Sequence, residues 1–119
     1  MEQQELAAAI DRQVPHLWMV RTFLKHADES EDDDDLREVV RDVYDFILAL
    51  GPLDESTDLQ KYIKQSLRKI RSLRRACDLY NEIQPEVSGH TNFEMAARSL
   101  KLSTDRIEEL LQAYKQSLK

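Results

Sequence analysis

The sequence predicts an all-α fold: an N-terminal antiparallel bundle of about three longer helices, followed by a helix-turn-helix-like hairpin. Three observations predict it. Apolar residues recur at steps of three and four through most of the chain, the period of one helix face. Only two Gly occur in 119 residues, whereas sandwiches and barrels place Gly at turn after turn. No segment alternates apolar and polar residues over a useful strand length.

The first helix is expected from about Gln3 to His26, with Leu6, Ile10, Val14, Leu17, Val20 or Arg21, and Leu24 along one face. Pro15 interrupts it, because proline cannot donate to the carbonyl of Asp11. Either the helix kinks, or a second one starts with Pro15 in its first turn. The apolar phase survives across Pro15, which favours a kinked or nearly collinear pair.

The second helix follows an acidic run, Asp28 to Asp35, with seven acids in eight positions. Acids suit a helix N-terminus, where free N–H groups and the macrodipole favour negative charge. Leu36, Val39, Val40, Val43, Ile47 and Leu50 form its stripe, and Gly51-Pro52 closes it. The third helix is expected from about Asp58 to Ile83, with Ser56 or Thr57 as N-cap and Leu59, Ile63, Leu67, Ile70, Leu73, Cys77 and Tyr80 inward. Pro85 to His90 reads as a loop. A fourth helix, about Asn92 to Leu100, follows a capping-box spacing of Thr91 with Glu94, and a fifth runs from about Thr104 to Ser117. The chain thus divides into a bundle region, 1–84, and a hairpin, 85–119, packed on it as one domain.

Charge is segregated. Residues 1–58 hold 16 acids and 5 bases, a net of −11, while residues 59–119 hold 7 acids and 12 bases, a net of +5. Lys61, Lys64, Arg68, Arg71 and Arg75 share one face of the third helix, opposite its apolar stripe, and such a face can follow phosphates. The competing reading is internal neutralisation by Asp35, Glu38, Asp42 and Asp45 of the second helix.

Site chemistry is sparse. The acidic run has no glycine for a calcium-loop turn, and a helix cap with a solvated face is its reading. His16, His26 and His90 do not pair with one another or with Cys77 at metal spacing. Cys77 falls on an apolar stripe, where a buried thiol is the default; Arg74 and Arg75 would activate it only if it were exposed. The two glycines are isolated, so there is no phosphate-cradling loop. We therefore read no enzyme, and no catalytic, metal or cofactor residues. No apolar run approaches the roughly 20 residues of a membrane span. The acidic start is unlike a secretory signal, and with a lone Cys the expected compartment is the cytoplasm.

The segment Asn92 to Tyr114, NFEMAARSLKLSTDRIEELLQAY, resembles the helix-turn-helix of the Fis-type DNA-binding proteins through Ala96, Ala97, Arg98, Leu100, Leu102, Ser103, Ile107, Leu110, Leu111 and Tyr114. The resemblance implies that Ala97 lets two helices cross closely. Leu100, Leu102, Ile107 and Leu110 would fill the wedge, and residues 104–113 would serve as recognition helix. Lys101 stands at the turn position that is commonly Gly, and the would-be recognition helix carries Asp105, Glu108 and Glu109 against Arg106 alone in its first two turns, acids that would repel phosphates. The leading reading is a non-enzymatic interaction or regulatory protein of adaptor type, pairing with a protein partner or with itself as a homodimer. The runner-up is a DNA-binding regulator that uses Arg98, Lys101 and Arg106 with help from the basic face.

Overall fold

A computed structural model describes all 119 residues and confirms the all-α class. There are five α-helices and no strands: α1 Gln3–Asp11, α2 Val14–His26, α3 Asp34–Leu50, α4 Leu59–Val87 and α5 Thr91–Ser117, with a 3-10 turn at Asp28–Ser30. Helices α2 to α5 form a ring in which each packs on the next, and α1 lies along α4 and α5.

Pro15 divides the first segment. The helix stops at Asp11, and α2 begins at Val14 with Pro15 in its first turn, where a missing N–H costs no intrahelical bond. The two pieces nevertheless run on as one antiparallel partner of α5. Gln3 Nε2 donates to Tyr114 Oη at 3.2 Å, His16 shares a surface groove with Leu102, and the Phe23 and Phe93 rings meet edge-on at 4.9 Å. Each step forward along α1–α2 is matched by a step backward along α5. Leu6, Ile10, Leu17, Val20 and Leu24 are buried as the stripe requires. Val20 takes the inward position, and Arg21 sits at the edge.

Asp33 is the N-cap of α3, its Oδ1 accepting from the Leu36 N–H at 3.0 Å, and Asp34 and Asp35 occupy the first turn. The earlier acids belong to the 3-10 turn and the connector. Gly51 ends α3 with the only positive φ in the chain, 68°, a conformation that a side chain would strain.

Helix α4 differs from expectation at both ends. Its N-cap is Asp58, whose carboxylate accepts from Lys61 N–H at 3.2 Å; Ser56 and Thr57 instead close a turn on Asp54. Its C-terminus runs through Pro85 to Val87, so the first half of the expected loop and the 84/85 boundary fall inside a helix, and only Ser88, Gly89 and His90 connect α4 to α5. Pro85 is exposed in the last turn, where it forfeits a single ladder bond. Buried Gln84 and half-buried Ile83 and Val87 hold that turn to the core, and Gln84 Nε2 donates to Ser88 O at 2.9 Å.

The larger correction concerns the C-terminus. Residues 91–117 form one uninterrupted helix, and the two-helix hairpin with a turn at Lys101 is not formed. Neither Gly nor Pro lies in this span, and Lys101 Nζ bonds Asp105 Oδ2 at 2.9 Å across the supposed turn. Ser103 and Thr104, at the expected start of a fifth helix, are buried packing residues. The true cap is His90, whose Nδ1 accepts from Asn92 N–H at 3.1 Å, and Thr91 is the first helical residue. Leu100, Ile107 and Leu110 are buried, but Leu102 is 70% exposed and fills no wedge. Ala97 does permit a close approach, to α4: Asn81 Nδ2 donates to Ala97 O at 3.3 Å.

Two buried tyrosines on α4 give a paired prediction. Tyr80 Oη donates to Phe93 O at 2.8 Å, whereas Tyr62 Oη is buried with no partner. Burial is the main cause that pushes both phenols well above their ordinary range. Tyr80→Phe is expected to lose about 1 kcal/mol, a typical net hydrogen bond. Tyr62→Phe removes an unpaired hydroxyl and is expected to gain up to about 1 kcal/mol. Urea denaturation of both variants checks the opposite signs.

Candidate functional site

The basic face of α4 is the surface that the sequence singles out most clearly. Its side chains are presented by a straight run of helix whose opposite stripe, Ile63, Leu73, Cys77 and Tyr80, is fixed in the core. Lys61, Lys64, Arg68, Arg71 and Arg75 are all exposed. From Lys61 to Arg75 the face extends about 21 Å at 1.5 Å per residue. None of the five bases makes an ion pair within the chain; Arg75 donates to Ser72 Oγ at 3.1 Å.

Internal neutralisation by α3 does not occur. Glu38 and Asp42 pair with Arg41 of their own helix at 3.7 Å, and no acid of α3 reaches a base of α4. The two helices meet through their buried stripes, Val39, Val43 and Phe46 on one side and Tyr62 and Ile63 on the other, so their charged faces stay outside. Asp34, Asp35, Glu38 and Asp45 remain exposed.

The one base of α4 that is neutralised internally is Arg74. Its Nε and Nη2 bind Glu108 at 3.1 and 2.8 Å in a two-pronged pair, and Nη2 also binds Asp105 at 2.6 Å. Lys101 completes the cluster through Asp105, and Arg106 pairs with Glu109 at 3.6 Å. Two of the acids of α5 that would repel a phosphate, Asp105 and Glu108, therefore serve as anchors for α4. Of the residues tied to nucleic-acid contact on α5, Arg98, Lys101 and Arg106 are exposed, but Lys101 and Arg106 are held by carboxylates. Arg98 lies against Met95 Sδ at 3.9 Å. They share no face with a recognition helix, since none is formed.

The Arg74 cluster yields a pH prediction. Hydrogen bonds from Arg74, then Lys101, hold the Asp105 carboxyl below its ordinary value of 3.8. A depressed folded pKa stabilises the fold above the unfolded value and ceases to do so as pH falls through the folded one. Asp105 and Glu108 each keep over a third of their side-chain surface in water. We therefore expect Arg74→Met to cost about 1 to 2 kcal/mol at neutral pH, below the figure for a buried pair. The gap from wild type should narrow as pH drops below about 3.8. Thermal melts across pH 2 to 7 test both.

Cys77 is buried, and burial raises its thiol pKa despite the nearby Arg74 guanidinium, so it is a packing residue. No group of three or more His, Cys, Asp or Glu side chains is arranged to hold a metal ion. No helix is long and apolar enough to cross a membrane.

A second cationic cluster is absent from the sequence reading. Arg21 and Lys25 of α2 and Arg37 and Arg41 of α3 line one groove of about 400 Å³. The signal was present as spacing: Trp18, Arg21 and Lys25 are three and four apart, as are Arg37, Arg41 and Tyr44. It was masked by the net charge of the surrounding half.

Comparison with models of known families, with curated proteins and with solved structures returns no match for this chain.

Proposed function

We propose that the chain is a non-enzymatic helical interaction module, an adaptor or regulator that docks an acidic protein surface on the basic face of α4. The observation that carries this reading is the set of five exposed bases, Lys61 to Arg75, left without an internal counter-charge beside an Arg74 that is fully engaged. A long-range field of one sign steers an oppositely charged partner and sets its orientation. A second copy of the chain offers such a partner through Asp34, Asp35, Glu38 and Asp45, so homodimerisation belongs to the same reading.

The alternative, a DNA-binding regulator, now depends on the α4 face alone, because α5 supplies no helix-turn-helix. The two readings separate on one experiment. Wild type and a variant with Lys64, Arg68, Arg71 and Arg75 changed to Gln are bound to polyglutamate and to random duplex DNA over a salt series. The expected result is salt-sensitive binding to polyglutamate that the variant weakens about tenfold or more. Equal binding by both proteins overturns the acidic-partner reading. Tighter binding to duplex, lost in the variant with a steep salt slope, favours the phosphate reading. Sedimentation of the wild type at low and high salt reads out self-association.

A further inference from the structure

We propose that the groove between α2 and α3 is a binding site for a small organic phosphate, a phosphate monoester carried on a flat apolar body. The first 58 residues contain five bases against 16 acids, yet four of those five, Arg21, Lys25, Arg37 and Arg41, line this groove. Glu31 is the one carboxylate on its wall. Arg41 pairs with Glu38 and Asp42, but the other three cations, Arg21, Lys25 and Arg37, make no ion pair.

Arg21 is the best-placed anchor. Its guanidinium lies over the Tyr44 ring at 4.4 Å and over the Trp18 ring at 4.8 Å, which restricts its position. Its Nε is buried and has no hydrogen-bond partner. A buried N–H without an acceptor is rare in folded proteins, and a small shift of the Arg21 side chain toward an anion in the groove would satisfy it. A planar guanidinium can bind two oxygens of one phosphate or carboxylate.

The other cations define the charge of the ligand. Arg37 is braced by the carbonyls of Ser30, at 3.1 Å, and Glu31, so it keeps its charge while its position is fixed by the connector. Lys25 is exposed and unpaired, and Arg41 is shared at 3.7 Å with Glu38 and Asp42. With Glu31 subtracted, the groove holds more than one positive charge in excess, which favours a dianion over a monocarboxylate. Apart from Ser30, the remaining wall is apolar, made by Val40, the Tyr44 ring and the side-chain stems of Arg21 and Lys25. Its volume, about 400 Å³, lies within the range of small-molecule sites.

Trp18 is the sole tryptophan and stacks on Arg21, so its emission reports on the groove. The probe is phenyl phosphate, titrated by Trp emission and by calorimetry, beside benzoate, benzyl alcohol and inorganic phosphate. Saturable binding at about millimolar or tighter is expected for phenyl phosphate, with each of the other three weaker by about tenfold or more. Arg21→Gln should weaken binding by about tenfold or more, and Lys25→Gln by a smaller factor. Arg12→Gln, which removes the fifth base of this half from outside the groove, should leave it unchanged. Circular dichroism confirms that each variant is folded, and Lys25→Gln, at an exposed position, keeps the test open should Arg21→Gln unfold. The proposal is overturned by absence of saturation, by equal binding to the Arg21→Gln or Lys25→Gln protein, or by loss in Arg12→Gln. Benzoate binding as tightly as phenyl phosphate would remove the dianion, and inorganic phosphate binding equally would remove the apolar body.

Discussion

Leu102→Pro is expected to destabilise the protein by about 3 kcal/mol or more, a large share of the 5 to 15 kcal/mol that holds a domain of this size together. Position 102 lies in the middle of α5, eleven residues after its first residue, Thr91, and its side chain is mostly in solvent. The side chain itself therefore contributes little. Proline would act through the backbone, by removing the N–H that bonds the carbonyl of Arg98 and by driving its ring against that carbonyl. In a hairpin with a turn at Lys101 to Ser103 the same substitution would be mild, because turn residues donate few helical bonds. Lys101→Gly sharpens the comparison. It should cost about 1 kcal/mol in a continuous helix, and would relieve strain in a left-handed turn. Urea midpoints for both variants, with m-values to confirm that the unfolding transition is unchanged in kind, decide between the two geometries. A cost below about 1 kcal/mol for Leu102→Pro would show that α5 is already interrupted.

The misreading of this segment has a definite physical origin. In sequence, Asp105 with Glu108 has a loose capping-box spacing, so a new helix is expected from about Thr104, with Ser103 and Thr104 at its entry. In the fold they are small residues on the buried face of one helix, close to its neighbours. Local preference and tertiary packing select the same residue types for different reasons, and spacing alone does not separate them. Pro85 misleads in a similar way: a breaker in general, it is tolerated in the last turn of α4, where neighbouring residues are tied to the core. By contrast, the apolar stripes of α1 to α4 were largely legible, because a three-and-four repeat admits one inward face, although Phe46 was missed and Val40, Ile47, Leu59, Leu67 and Ile70 are only half-buried. The basic face of α4 was legible for the same reason. The Arg21 groove was not, since its cations come from two helices separated by the acidic connector, and their convergence depends on how α2 and α3 pair. The Trp18 and Tyr44 rings, 6.2 Å apart, meet where those two helices pair.

Leu100→Ala is expected to cost about 2 to 5 kcal/mol, while Leu102→Ala should fall within about 0.5 kcal/mol of the wild type. The two leucines are two residues apart on the same helix, so propensity, chain entropy and composition change equally. Only burial differs: Leu100 is 0% exposed and Leu102 is 70% exposed. Leu100 also has little slack around it. Its buried companions on α5, Ala96, Ala97, Ser103 and Thr104, are small, and α5 packs on both α2 and α4. Close backbones cannot move together further to fill a leucine-sized void, which places the cost toward the upper part of the range. Enlarging a small neighbour tests the same closeness from the other side, and Ala97→Leu should cost about 1 to 3 kcal/mol by overpacking against α4. The ratio between the two leucine variants is the informative quantity. A wedge between two short helices would need both side chains, and would make both substitutions expensive. A single helix with one inward face makes only the first expensive. Equal losses for Leu100→Ala and Leu102→Ala in denaturant titrations would therefore overturn the continuous α5, and with it the placement of Asp105 and Glu108 against Arg74.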